Sequence, residues 1–79
     1  MKPEEAFGIV LKRARTNKGF SQEQLALSCD LDRTFISMLE RGQRQPSLTT
    51  ILAISSSLRT PADQLIKLTT DLIDENSQN

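Results

Sequence analysis

The chain has 79 residues, with ten basic and ten acidic side chains, one cysteine and no histidine, tyrosine or tryptophan. This length leaves room for one domain that buries only about 60% of its unfolded surface, so we expect self-association to add stability. The single cysteine excludes an internal disulfide, and the lack of histidine disfavours zinc binding. The chain shows neither an apolar run of membrane-spanning length nor a signal-peptide core, so we expect a cytoplasmic protein with no membrane segment and no cofactor.

The charge pattern bears on the class of function. Residues 1–44 carry eight Lys/Arg and six Asp/Glu, a net charge of +2, whereas residues 45–79 carry two and four, a net charge of −2. This asymmetry predicts a local basic face in the first half with modest affinity for a polyanion. Because the chain also lacks the usual general bases and a glycine-rich phosphate loop, we expect a binding protein and not an enzyme.

The first predicted helix runs from Pro3 to Lys18. Its apolar residues recur at the helical spacing of Phe7, Val10, Leu11 and Ala14, and Gly19 is a suitable residue to follow its C-terminus. Gly8 inside this helix costs about 1 kcal/mol relative to alanine. Close packing by another helix would explain the glycine, although the sequence does not show such a neighbour.

Two short helices follow at the predicted spans Gln22–Ser28 and Asp32–Arg41. Ser21 and Gln24 match a capping box for the first of these helices, and the aspartate that begins the second is predicted to cap it. Asp30 lies at the corner between the two helices, and aspartate is one of the few residues besides glycine that tolerate a left-handed backbone. Two capped helices this close together predict a helix-turn-helix.

Two further helices complete the predicted fold. Ser47 is predicted to cap the fourth, and Thr60 caps the fifth with Pro61 at its first helical position. We therefore predict an all-α protein: one compact five-helix bundle over residues 1–74 that contains the helix-turn-helix. Residues 75–79 are polar and are expected to form a disordered tail.

The fifth helix carries more apolar residues than one core contact would use. We expect the surplus, together with part of the fourth helix, to form the interface of a homodimer. The residues predicted for this interface are Leu65, Leu68, Thr69 and Leu72.

The joint pattern of caps, small residue and apolar spacing resembles the XRE family of phage-repressor and Cro-type helix-turn-helix regulators. The matching residues are Gln22, Leu25, Ala26, Leu31, Ile36, Leu39, Glu40 and Gly42, and the resemblance extends from Leu11 to about Leu68. It implies a lambda-repressor-like fold and a homodimer that binds a pseudo-palindromic operator in double-stranded DNA.

Within the family, the short chain and its LDRTFIS segment resemble the controller proteins of restriction–modification systems. Such proteins activate and, at higher occupancy, repress their own operon, so RNA polymerase would be a partner if the chain is an activator. A phage-type repressor and the antitoxin of a toxin–antitoxin pair are alternatives. A protein-interaction module that keeps the fold without binding DNA is a further alternative, because the net charge is zero.

The residues predicted to contact DNA are Gln22, Arg33, Thr34, Phe35, Ser37, Met38, Arg41, Gln43 and Arg44. The resemblance implies that Gln22 grips a phosphate, although a solvent-facing role is the alternative. Arg33 is predicted to read a guanine, with a phosphate contact as its alternative, and the outer helix face could also be simply solvated. Met38 departs from the polar residue of some phage repressors and could pack on a thymine methyl group.

Arg15 and Glu40 have a different predicted role. The resemblance pairs an arginine of the first helix with the glutamate that closes the DNA-reading helix, and these two residues stand at the matching positions. Because an unpaired carboxylate there would repel phosphate, we expect a structural ion pair.

Overall fold

The computed structural model describes residues 1–77, which form five α-helices. These are α1 (Pro3–Asn17), α2 (Gln22–Cys29), α3 (Arg33–Glu40), α4 (Leu48–Leu58) and α5 (Ala62–Ser77). No strand occurs within these described residues. The radius of gyration is 11.8 Å, close to the value of about 12 Å expected for a compact chain of this length. The prediction of an all-α, compact five-helix fold is confirmed.

One apolar core joins all five helices. Each helix contributes at least one fully buried side chain, because its apolar residues share one face at the helical repeat. The buried set comprises Phe7, Val10, Leu11, Leu25, Ala26, Ile36, Leu39, Ile54, Leu58 and Leu65. Helix α1 lies against both α3 and α5, while α2 lies against α3 and α4. Helix α1 therefore supports the corner formed by α2 and α3 through its contact with α3.

Gly8 lies where α1 approaches the C-terminal end of α3. A Cβ atom at this position would come within 2.4 Å of the carbonyl oxygen of Leu39 and 2.8 Å of that of Glu40. Both atoms belong to the backbone and cannot rotate away, so only glycine permits this distance between the helices. The glycine that weakens α1 locally is therefore the residue that lets α3 dock on it.

The helix starts agree with the sequence in two cases and differ in two. Ser21 accepts from the backbone N–H of Gln24 at 3.0 Å, and Ser47 accepts from the backbone N–H of Thr50 at 3.1 Å, as predicted. The prediction that Asp32 caps α3 through its side chain is wrong, since its carboxylate makes no capping hydrogen bond. Asp32 is exposed, so water competes for this carboxylate.

The predicted start of α5 is also corrected. The helix begins at Ala62, and the hydroxyl of Thr60 donates to the carbonyl oxygen of Leu58 instead of accepting from the first turn of α5. The Pro61 carbonyl opens the helix by accepting from the N–H groups of Gln64 and Leu65. At its other end, α5 continues through residue 77, so residues 75–77 are helical and not the disordered tail that we expected. Residues 78–79 lie outside the described part of the chain.

Two of the four residues predicted for the dimer interface belong to the core of the protomer. Leu65 is fully buried, and Thr69 is buried with its hydroxyl donating to the Leu65 carbonyl oxygen at 2.8 Å. Both face inward because α5 docks on α1 through this part of its wide apolar arc. Leu68 is exposed and Leu72 is half-buried, and both line a groove of about 520 Å³ between α1 and α5.

Candidate nucleic-acid interface

The corner between α2 and α3 is closed by backbone geometry. Asp30 adopts the left-handed conformation, with φ 57° and ψ 44°, immediately after α2. The next residue, Leu31, donates its N–H to the Ala26 carbonyl oxygen at 2.9 Å, which is the Schellman arrangement of a helix end. Aspartate is among the few residues other than glycine that visit this conformation at low cost. The predicted left-handed turn at this position is therefore present.

Helix α3 presents one apolar face inward and one mostly polar face outward. Ile36 and Leu39 are fully buried against the core, whereas Arg33 and Thr34 at its N-terminal end are exposed. Ser37 and Met38 follow on the outer side and are half-buried. A short helix with exposed polar side chains on one face has the dimensions that a DNA major groove accepts.

The C-terminal end of α3 adds two more basic side chains. Arg41 is exposed and donates from Nε to the Ser37 carbonyl oxygen at 3.3 Å. The guanidinium carbon of Arg44 lies 5.6 Å from the centre of the Phe35 ring, within the range of a cation–π interaction. Phe35 also packs against the apolar core, so its ring is a half-buried support for Arg44. Phe35 was predicted to contact DNA, and its contact with Arg44 was not predicted.

The charge around α3 is mixed. Within residues 1–77 the ion pairs are Arg15–Glu40 and Lys67–Asp71, so Arg33, Arg41 and Arg44 carry charges that no carboxylate neutralises. Asp30 and Asp32 line a shallow notch beside Phe35 at the corner. Glu4 and Glu5 lie against the loop after α3, where Glu4 accepts from Gln45 and Glu5 lies beside Gly42. Basic and acidic side chains therefore alternate around α3, and the three arginines are the groups available to an anion.

Arg15 and Glu40 form the predicted ion pair, and each makes a further hydrogen bond. Arg15 donates from Nε and Nη2 to the two carboxylate oxygens of Glu40, a bidentate arrangement, and from Nη1 to the Phe20 carbonyl oxygen at 2.7 Å. The side chains are 9% and 3% exposed. The hydrogen bond to Glu40 raises the pKa of Arg15 above its usual range, although partial burial opposes the shift. The guanidinium therefore stays charged.

Gln22 is the first residue of α2 and is connected to this pair. Its Nε2 donates to Oε1 of Glu40 at 3.0 Å, so the Gln22 side chain is neither free in solvent nor detached from α3. The pairing of Gln22 with Glu40 was not predicted. The two residues are separated by 18 positions, and neither helical spacing nor a capping pattern relates residues on two different helices.

The predicted DNA-contacting residues lie on three parts of the structure. These are the start of α2, the outer face of α3 and the loop that follows α3. The described residues contain no group of three or more His, Cys, Asp or Glu side chains placed to hold a metal ion. Within residues 1–77, every helix falls short of the length or the apolarity that a bilayer-spanning segment needs.

A helix-turn-helix held by a buried ion pair, with an exposed polar and basic second helix, is the architecture of a DNA-binding regulator. The helix-turn-helix family HTH_3 matches residues 11–65 of the chain. The chain belongs to this family of XRE-type transcription regulators, and the resemblance seen in the sequence is confirmed.

The similar proteins include control proteins of restriction–modification systems, and they also include other helix-turn-helix regulators, such as a regulator derived from the SPbeta prophage of Bacillus subtilis. Control protein C.BamHI of Bacillus amyloliquefaciens is 45% identical over 65 residues, which cover 81% of this chain and 80% of that protein. Control protein C.MunI of a Mycoplasma species is 45% identical over 53 residues, which cover 66% of this chain and 72% of that protein. The crystal structure of the restriction–modification controller C.AhdI from Aeromonas hydrophila matches with a TM-score of 0.77 and 42% identity, covering 78% of this chain and 94% of that one.

Proposed function

We propose that the chain is a homodimeric, sequence-specific regulator of transcription that controls a restriction–modification operon. The observation that carries the proposal is the exposed polar and basic face of α3, mounted on a corner that α1 and the Arg15–Glu40 pair hold in one geometry. The similarity to controller proteins across most of the chain supports the choice of regulatory system. The chain acts by binding and has no enzymatic activity of its own.

The proposed binding mode places α3 in the major groove. Arg33 extends from the N-terminal end of α3 and reads a guanine through its O6 and N7 atoms. Thr34, Ser37 and Met38 follow along the same groove, with the Met38 thioether against a thymine methyl group. Arg41, Gln43 and Arg44 bind phosphates at the far end of the helix, where they fix its position without reading sequence.

The start of α2 supplies a second phosphate contact in this mode. Gln22 is the first residue of the helix, where backbone N–H groups have no partner within the helix and attract an anion. Its side-chain amide carries two hydrogens, of which Glu40 takes one. The other remains for a phosphate oxygen.

The proposed dimer uses α5 and part of α4, as predicted, but through other residues than the four that were predicted. Leu48 and Leu52 are 72% and 52% exposed on one face of α4, and Ile66 is 43% exposed on the neighbouring helix α5. We call these three residues the apolar α4–α5 surface. In the proposed dimer a second copy covers these residues, and the two α3 helices enter major grooves about 34 Å apart on a pseudo-palindromic operator. Leu65 and Thr69 are not available for this contact.

The proposed regulatory role is based on the similarity to controller proteins. As a controller, the chain would activate its own operon at low occupancy and repress it at high occupancy, contacting RNA polymerase in the first case. It would work in the cytoplasm, beside the bacterial chromosome, as one domain that spans the five helices. A phage-type repressor and an antitoxin regulator would use the same surface on another operon. The neighbouring genes distinguish the three systems.

A protein-interaction module of the same fold is the candidate from another class, and the zero net charge favours it. Titration of double-stranded DNA at several salt concentrations separates the two classes. A DNA-binding protein shows a steep loss of affinity with salt because counterions return to the phosphates. Replacing both Arg33 and Arg44 by alanine should then abolish binding without unfolding the protein. Salt-independent or undetectable binding by the unmodified protein would favour the interaction module.

Arg33→Ala alone tests the assignment of the reading residue. We expect a loss of about 1–3 kcal/mol on the preferred sequence, with specificity relaxed at one base pair of each half-site. Arg13→Ala is the matched control, because Arg13 is an exposed arginine of α1 outside the proposed interface. An unchanged footprint for Arg33→Ala would show that another side chain reads the DNA.

A further inference from the structure

The Arg15–Glu40 ion pair makes two hydrogen bonds to the start of α2. Arg15 donates from Nη1 to the carbonyl oxygen of Phe20, the residue that precedes the cap of α2. Its partner Glu40 accepts from the side-chain amide of Gln22, the first residue inside α2. The pair therefore contacts the chain immediately before and immediately after Ser21.

The carboxylate of Glu40 accepts three hydrogen bonds, two from Arg15 and one from Gln22. Its Oε2 accepts from Arg15 Nε, and its Oε1 accepts from both Arg15 Nη2 at 2.9 Å and Gln22 Nε2 at 3.0 Å. With the side chain only 3% exposed, water has little access to replace either donor. The Gln22 amide is thus the third fixed member of a network that joins α1, α2 and α3.

We propose that Arg15 and Glu40 are positioning residues for DNA binding, which order the Gln22 amide at the start of α2 before a phosphate arrives. The inference rests on the proposed function, in which Gln22 contacts the DNA backbone. A free glutamine side chain loses rotamer freedom when it binds, whereas one that is already ordered does not. The ion pair also neutralises Glu40, which would otherwise repel a phosphate at this position.

A double-mutant cycle tests the coupling between Gln22 and the pair. The background variant replaces both Arg15 and Glu40 by methionine, because exchanging a whole buried ion pair for apolar side chains of similar size preserves folding far better than breaking it. Affinity is measured by fluorescence anisotropy with a short mixed-sequence DNA duplex at low salt, where phosphate contacts dominate. Circular dichroism verifies that each variant is folded under the binding conditions.

In the unmodified background, Gln22→Ala should weaken binding about tenfold, which corresponds to ~1.4 kcal/mol. In the methionine background, the same substitution should weaken binding less than about threefold, because the amide is no longer ordered in advance. Gln43→Ala is the matched control, since Gln43 is an exposed glutamine of the same proposed interface and should change affinity by the same factor in both backgrounds. Equal factors for Gln22→Ala in the two backgrounds would overturn the inference.

A second measurement needs no variant. Side-chain amide ¹⁵N relaxation of the unmodified protein without DNA should show restricted motion for Gln22 and free motion for Gln43. Equal mobility of the two amides would also overturn the inference. If the unmodified protein binds no DNA, the proposed function and this inference both fail. If it binds DNA but Gln22→Ala has the same effect in both backgrounds, only this inference fails.

Discussion

The α2–α3 corner and the apolar α4–α5 surface are built on opposite principles. In the corner, polar groups are paired in detail: the Ser21 cap, the bidentate Arg15–Glu40 pair and the Gln22 amide all have defined partners. At the apolar α4–α5 surface, leucine and isoleucine side chains face solvent and have no such partners within the protomer. The first region fixes one geometry, and the second leaves apolar area available for association. This contrast suits a protein that presents a rigid reading helix from each half of a dimer.

Breaking the Arg15–Glu40 pair should have the largest effect on stability. Arg15→Met leaves a buried carboxylate without its cation, and we expect the free energy of unfolding to fall by about 3–5 kcal/mol. Adding Glu40→Met should restore most of that loss, because no charge then remains buried. Urea titrations followed by circular dichroism measure both changes. Arg13→Met is the control on the same helix and should lie within about 0.5 kcal/mol of the unmodified protein, as exposed substitutions usually do. An equal loss for Arg15→Met and Arg13→Met would contradict the structural role of the pair.

The apolar α4–α5 surface should respond in association and not in folding. Leu52→Lys is expected to weaken the dimer by about 3 kcal/mol, because the burial of one leucine side chain is lost in each of the two copies, at about 1.5 kcal/mol each. Sedimentation equilibrium measures the change, and the monomer should keep its helical spectrum.

Two control variants locate this interface. Leu27→Lys alters a leucine of α2 that is 77% exposed and should leave the dimer intact. Leu68→Lys lies at the groove between α1 and α5. If the dimer survives Leu52→Lys and is lost with Leu68→Lys, the interface lies at that groove. If the unmodified protein is a monomer at high micromolar concentration, the proposed dimer is wrong.

Gly8→Ala should cause the next largest loss of stability, because it disturbs the packing of α1 against α3. The added methyl group would meet backbone oxygens of α3 at 2.4 and 2.8 Å, so α1 and α3 must separate. We expect a net loss of about 2 kcal/mol, because overpacking outweighs the ~1 kcal/mol by which alanine favours a helix. Thermal and urea unfolding should both show the loss.

Gly19→Ala provides the comparison for this prediction. Gly19 has φ +77°, and a Cβ atom added there would meet no neighbouring atom within 4 Å, so alanine there meets backbone strain without any clash. A loss of about 1 kcal/mol is expected from the left-handed conformation alone. If Gly8→Ala proves more stable than the unmodified protein, the close approach of α1 and α3 is not as the structure has it.

The smallest predicted effects concern the two left-handed residues that are not glycine. Arg59 follows α4 with φ 53°, and Asp30 follows α2 with φ 57°. Arg59→Gly should raise the free energy of unfolding by about 0.5–1 kcal/mol through relief of this strain, and Asp30→Gly should raise it less because aspartate tolerates the conformation. Arg59→Lys keeps both the charge and the strain and should leave stability unchanged. A gain for Arg59→Lys equal to that for Arg59→Gly would point to the guanidinium and not the backbone.

The same contrast between regions separates what the sequence predicted from what it did not. The five helices and the Ser21 capping box were predictable, because each depends on residues within one or two helical turns. The left-handed turn at Asp30 was expected from the family resemblance. The core assignment of Leu65 and Thr69 was not, since the apolar arc of α5 is wide and its docking on α1 decides which part of it is buried. For the same reason the sequence explained neither Gly8 nor the link from Gln22 to Glu40. Both depend on where one helix meets another.

Selection of bound sequences from random double-stranded DNA tests the central claim most directly, because it examines binding, symmetry and spacing together. A dimer that presents two α3 helices should enrich an inverted repeat whose half-sites lie about one helical turn apart. In the same selection, Arg33→Ala should lose preference at one position of each half-site. Enrichment of a single asymmetric half-site, or no enrichment at all, would contradict the proposal of a dimeric, sequence-specific regulator.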